Sequence, residues 1–128
     1  MIEYRSFIKS DIKKSVFEKI ALFVFKQENI DNADLTLTLV GKARMRTLNR
    51  THRHKDYATD VLSFPNPQGF INPDNNLGDI IICPEETDNI MKIFIHGVLH
   101  LLGYSHDTEK NAKILECKQS KYLQKFYV

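Results

Sequence analysis

The stretch His96-Gly97-Val98-Leu99-His100-Leu101-Leu102-Gly103-Tyr104-Ser105-His106 constrains this chain more than any other. Its apolar residues continue a helical pattern that starts upstream at Ile90, Ile93 and Phe94 and runs through Val98 and Leu101. On a helix, His96 and His100 stand one turn apart on the same face, so both imidazoles can grip one ion. Gly103 is suited to the left-handed conformation that ends a helix, and the turn it makes would swing His106 back to the same place. Three protein ligands leave one position of a zinc-type ion open to water, which is the arrangement of a catalytic site. A lone helical histidine is ordinarily a surface or packing residue. Here three of the chain's five histidines share one short segment, with a helix-ending glycine between the second and the third, and the metal reading outweighs coincidence.

The remaining pattern predicts an α/β (α+β) fold, with one mixed sheet of about four strands covered by helices. Met1 to Phe7 reads as a short strand. Ser10 or Asp11 is placed to cap a helix whose apolar residues recur at Ile12, Val16, Phe17, Ile20 and Val24. Asp34 to Val40 alternates leucines with threonines and valine, a strand of period two. A short helix is expected over Lys42 to Thr51, burying Met45 and Leu48, and a short strand over Val61 to Phe64. Pro65 to Asn76, rich in proline and asparagine, is a loop that can hold a hairpin turn. Asp79 to Cys83 has three consecutive isoleucines and reads as a strand buried on both faces, ended by Pro84. Helices over about Glu86 to Leu102 and Thr108 to Phe126 complete the chain.

A length of 128 residues suits a single domain, here residues 1–128, and 42% hydrophobic with 27% charged residues excludes a disordered class. The longest apolar run, Ile20 to Phe25, is far below the ~18 residues of a membrane span. The N-terminus carries a charge at its third residue and no apolar region follows directly, so no signal peptide is read and a cytoplasmic protein is expected. Cys83 and Cys117 are read as free thiols. The net charge of +2 says little, but Lys42, Arg44, Arg46, Arg50, Arg53 and Lys55 cluster without an intervening acid. Such a run is either a solvated helix face with a basic loop or a surface that meets a polyanion.

The histidine spacing is similar to that of metzincin proteases, HExxHxxGxxH, except that Gly97 stands where those enzymes carry their general-base glutamate. Glycine cannot do that work and costs about 1 kcal/mol inside a helix. One expectation is that it leaves room for a phosphate that a carboxylate would repel. The stretch HGVLHLLGYSHD further resembles the HGxLHLxGYDH signature of the YbeY family of bacterial rRNA-maturation endoribonucleases. Leu48-Asn49, Arg53 and Thr59 to Pro65 resemble that family's LNxxYRxxxxxTDVLSFP, and Leu77 to Ile80 its LGDI. The three blocks occur in the family's order.

The resemblance implies a single α/β domain, one metal ion held by His96, His100 and His106, and hydrolysis of RNA phosphodiesters in rRNA 3′-end maturation and ribosome quality control. Zinc is the ion expected, one per chain, although another divalent metal would also suit. Arg53 matches the family's phosphate-holding arginine and is the expected catalytic side chain. Arg50, Arg46 and Lys55 are expected to track the RNA backbone. Asp60 and Asp79 match acidic positions with supporting roles. Ribosomal RNA and the ribosome are the implied partners, with a ribosomal protein or an assembly GTPase as a further one, and no membrane. Ser105 replaces an aspartate before the third histidine, which is expected to weaken local support, and His52 replaces an aromatic residue. The segment from Pro84 to Ile95 is shorter than is typical of the family. Two rivals stay open: a zinc metalloprotease, and a ribosome-associated binding factor whose metal is structural and closed by Cys83 or Asp107.

Overall fold

Leu35, Leu37 and Leu39 are completely buried while Thr36 and Thr38 between them are not, and that alternation becomes an interior strand of the sheet. The computed structural model describes residues 2–68 and 75–126. Strands β1 (Ile2–Ser6), β2 (Asp34–Leu39), β3 (Val61–Pro65) and β4 (Asn76–Ile82) form one sheet in the order β1-β2-β4-β3. β1, β2 and β4 run parallel, and β3 is antiparallel to β4 at the edge. The expected turn within Pro65 to Asn76 falls on residues 69–74, outside the described ones, but the strands that flank it pair as the arms of a hairpin do.

Helices α1 (Lys14–Gln27), α2 (Lys42–Arg53), α3 (Ile90–Leu101) and α4 (Glu109–Gln124) cover the sheet. The three isoleucines of β4 divide between its faces. Ile80 and Ile82 enter the main core with Phe17, Phe94 and Leu99. Ile81 packs in a smaller cluster around Met45, Leu62 and Cys83, under α2. Two helix starts differ from expectation. α1 begins at Lys14 because Ser10 is used in a turn, its Oγ accepting the Ile12 N–H at 3.2 Å, while Tyr4 donates to the Ile12 carbonyl. α3 begins at Ile90 because Pro84–Glu86 forms a separate 3₁₀ turn and Asn89 is the cap, its Oδ1 accepting the Lys92 N–H at 3.1 Å. β4 in turn starts earlier than expected, at Asn76.

A buried carboxylate ties α1 to the far end of the chain. Glu28, just past α1, is only 9% exposed and accepts hydrogen bonds from Tyr104, from Tyr122 and from Lys118 Nζ at 2.9 Å. Lys110, Lys113, Lys121 and Lys125 are exposed along the last part of the chain, whereas Lys118 turns inward, because a carboxylate there needs a cation. Burial pushes the Glu28 carboxyl up, but the three donors outweigh it and hold it below the usual range. A depressed carboxylate stabilises the fold fully above its unfolded value and loses that contribution as pH falls through the folded one. Glu28→Gln is therefore expected to cost about 2 kcal/mol at neutral pH. It should also flatten the loss of stability seen below about pH 4. Urea melts of both proteins from pH 7 to pH 3 check this, and parallel curves would refute it.

α3 packs on β3, β4, α1 and α4, and it reaches the sheet through Gly97. A Cβ at that position would lie 2.9 Å from Ile80 Cγ2 and 3.2 Å from its Cδ1. A side chain at Gly97 would thus face Ile80 in the core, and the expectation that glycine there leaves room for a phosphate is corrected. Gly97→Ala gains about 1 kcal/mol of helix propensity but meets an overpacking cost of about 1–3 kcal/mol against a β-branched neighbour. A lower melting temperature is expected, and an unchanged or raised one would show that the contact yields freely.

Candidate metal centre

Six buried residues of α3, among them Phe94, Val98 and Leu99, anchor the helix and fix which way its histidines face. The helix ends as the sequence requires. Gly103 takes φ +103°, its N–H reaching the His100 carbonyl at 3.0 Å and the Tyr104 N–H reaching the Leu99 carbonyl at 3.0 Å. This paired closure is a Schellman motif, which satisfies carbonyls that a helix end otherwise leaves open. Tyr104 is then held on Glu28. Ser105, expected to weaken local support, donates to Asp107 Oδ1 at 2.7 Å, and Asn111 donates to the same oxygen at 2.7 Å. His106 stands between these two anchors.

The result is a convergence of three imidazoles. His96 and His100 have ring centroids 4.5 Å apart, and His106 lies 5.0 Å and 5.1 Å from them. One ligand atom from each ring falls within 4.8 Å of the others, so His96, His100 and His106 could hold a metal ion. The Nε2 atoms of His96 and His100 are 3.0 Å apart. Two nitrogens sharing a tetrahedral ion at 2.0–2.1 Å would lie roughly 3.3 Å apart, so the donor set fits a zinc-sized cation. Burial holds the His100 ring down to about 4, helped by the neighbouring His96 and His106, and burial likewise lowers His96. Both are neutral near pH 7, with lone pairs available for ligation.

The side chains expected around this cluster divide into two groups. Arg53 joins it: an open pocket of about 520 Å³ is lined by Arg53, His96, His100, Ser63, Tyr104 and Ser105 among others. The guanidinium donates to the Ser63 carbonyl at 3.0 Å and stands 5.4 Å from the Phe64 ring, which orients it from the last turn of α2. His52, in place of the family's aromatic, packs edge-on against Phe64 at 5.1 Å. Arg46 and Arg50 do not line the pocket. Arg46 makes a two-pronged contact to Asp56 at 2.9 and 3.0 Å, and Arg50 approaches the same carboxylate at 3.7 Å. Lys55 is exposed just beyond α2, outside the pocket lining. Among the described residues the histidine group includes neither Cys83, buried in the smaller core, nor Asp107, engaged by Ser105 and Asn111. Asp60 adds a weak field at His96, and Asp79 is exposed on β4.

Two contributors escaped the sequence reading. Gln119, buried on α4, meets His96 Nδ1 at 2.8 Å. Its signal was its place at helical spacing with Leu115 and Tyr122, the other buried residues of α4. Glu28 had no comparable local signal, since Tyr104 is 76 positions away and Tyr122 is 94.

With this geometry in hand, comparison with known proteins is specific. The sequence model of the family described as Endoribonuclease YbeY matches residues 3–127. A protein named Endoribonuclease YbeY from Sulfurihydrogenibium sp. (strain YO3AOP1) is 34% identical over 128 residues, covering 90% of this chain and 84% of the relative. One of the same name from Finegoldia magna is 35% identical over 129 residues, covering 91% and 82%. The solution structure of a Thermotoga maritima protein matches with a TM-score of 0.61 and 29% identity, over 97% of this chain and 87% of that one. A match that runs through every sequence block and both sides of the histidine cluster supports one assignment: the chain belongs to the YbeY family of endoribonucleases.

Proposed function

We propose that this protein is a zinc-dependent endoribonuclease that hydrolyses phosphodiester bonds of single-stranded RNA. The observation that carries the reading is the placement of Arg53 in the same pocket as His96 and His100. His96, His100 and His106 would hold the zinc ion, which would supply Lewis acidity for phosphodiester hydrolysis. The protein's own side chains supply position. Arg53 presents a planar, permanently charged fork to a phosphate and stabilises the negative charge that grows on it during cleavage. The His96 and His100 rings, held neutral by burial, have lone pairs available to the ion. No carboxylate lines the pocket among the described residues, and Gly97 faces the sheet. The pocket therefore lacks the general base that peptide hydrolysis on this spacing uses, which disfavours the protease rival.

In this reading the substrate is ribosomal RNA, the process is 3′-end maturation and quality control, and the ribosome, with a ribosomal protein or assembly GTPase, is the partner in the cytoplasm. Arg46, Arg50 and Lys55 follow the RNA backbone outside the pocket, the two arginines by exchanging Asp56 for phosphate. No helix among the described residues is long and apolar enough to cross a membrane.

Elemental analysis of the wild type, with RNA cleavage measured in parallel, is expected to give about one zinc per chain and chelator-sensitive cutting. His100→Ala should lose both. Arg53→Ala should keep its zinc and lose roughly 10²- to 10³-fold in kcat. Zinc without cleavage would favour the binding-factor reading, and no zinc in the wild type would refute the assignment.

A further inference from the structure

His96 has two ring nitrogens, and only one tautomer serves a metal ion. Its Nε2 points at His100 Nε2, 3.0 Å away, within the cluster. Its Nδ1 points the opposite way, at Gln119 Oε1, 2.8 Å distant. An amide oxygen accepts and cannot donate, so Nδ1 must carry the proton, and Nε2 is left with its lone pair toward the ion. Gln119 is itself only 8% exposed, and α4 holds it through buried Leu115 and Tyr122 on the same face. The neighbouring Lys118 and Tyr122 are tied to Glu28, so α4 is locked against both α1 and α3 where Gln119 leaves it.

We infer that Gln119 is a positioning residue for the metal, its amide oxygen fixing the rotation and tautomer of the His96 ring. The inference rests on the metal reading proposed above and adds to it a side chain from a different helix. Ligand histidines depend on such acceptors for ring orientation and basicity, and losing one ordinarily weakens metal binding tenfold to a hundredfold. Gln119 also borders a depression of about 420 Å³ beside His96 and His106, so Leu or Glu, close to it in size, can be accommodated there.

The test is zinc affinity of the metal-free full-length chain against a chromophoric chelator, with ¹⁵N NMR of the histidine rings. Gln119→Leu should bind zinc roughly 10- to 100-fold more weakly. Its His96 ring should shift population toward the Nε2–H tautomer. Gln119→Glu retains an acceptor and should bind zinc as tightly as the wild type or more so. A Leu variant with wild-type affinity overturns the inference, as does a Glu variant as weak as the Leu one. Should the Leu variant fail to fold, a wild-type His96 ring carrying its proton on Nε2 still overturns it. A wild type that binds no zinc removes the functional proposal and the positioning role together, whereas normal zinc binding in all three proteins removes only the latter.

Discussion

How closely α3 can lie on β4 decides the rest of the site. Both ends of the contact are specific: a residue without a side chain on the helix, and a β-branched isoleucine on the strand. Gly97 follows His96 directly, so its Cα turns toward the sheet while the imidazole turns away. A larger residue would lift the helix, or force Ile80 to move within a core that is packed without slack. Either response would displace His96 and His100 relative to Arg53, which reaches the pocket from α2 on another part of the sheet. The helix cost of glycine is thus offset by a packing distance, and no electrostatic argument about the substrate is required.

The same dependence continues outward. His106 is not on α3, and its position comes from the chain reversal at Gly103 and from anchors on both sides. Tyr104 binds a buried carboxylate at the end of α1, and Asp107 gathers Ser105 and Asn111 at the start of α4. Burying Glu28 would be costly without partners, and Lys118 with two tyrosine hydroxyls supplies them. The three histidines are therefore positioned by a framework in which α1, α3 and α4 brace one another.

What the sequence made legible was what is local and periodic. The leucines of β2, the isoleucines of β4, the i, i+4 histidines and the Gly103 helix end each announce themselves within one or two turns of chain. The two misplaced helix starts have a shared cause: the expected beginnings, at Ser10 or Asp11 and at about Glu86, fall in turns before the helix, where side-chain and backbone bonds compete with it. Glu28 and Gln119 were missed for another reason. Each matters through a partner brought close only by the finished fold: the spacing of Gln119 with Leu115 and Tyr122 marks it as buried but does not point to His96, and Glu28, near a helix end, carries no local mark at all. The part assigned to Arg53 came from a family resemblance rather than from spacing, since an arginine at a helix end is by itself unremarked.

The basic run of α2 shows why charge counting underdetermined the substrate surface. Lys42 faces Glu86, Arg44 stacks over Phe7, and Arg46 and Arg50 share Asp56. Arg53 differs because its partner is a neutral carbonyl, so its charge is not cancelled by an acid at that contact. The pairs around Asp56 are exposed, and such pairs are weak and screened by salt, so a phosphate can displace the carboxylate at small cost. A backbone path along α2 would then converge on the one arginine aimed at the histidines. That path grips phosphate and reads no base, because contacts to the backbone position a nucleic acid without specifying its sequence. On the proposed reading, therefore, the choice of cleavage site has to be made outside this pocket, by RNA shape or by the ribosomal particle that presents the strand.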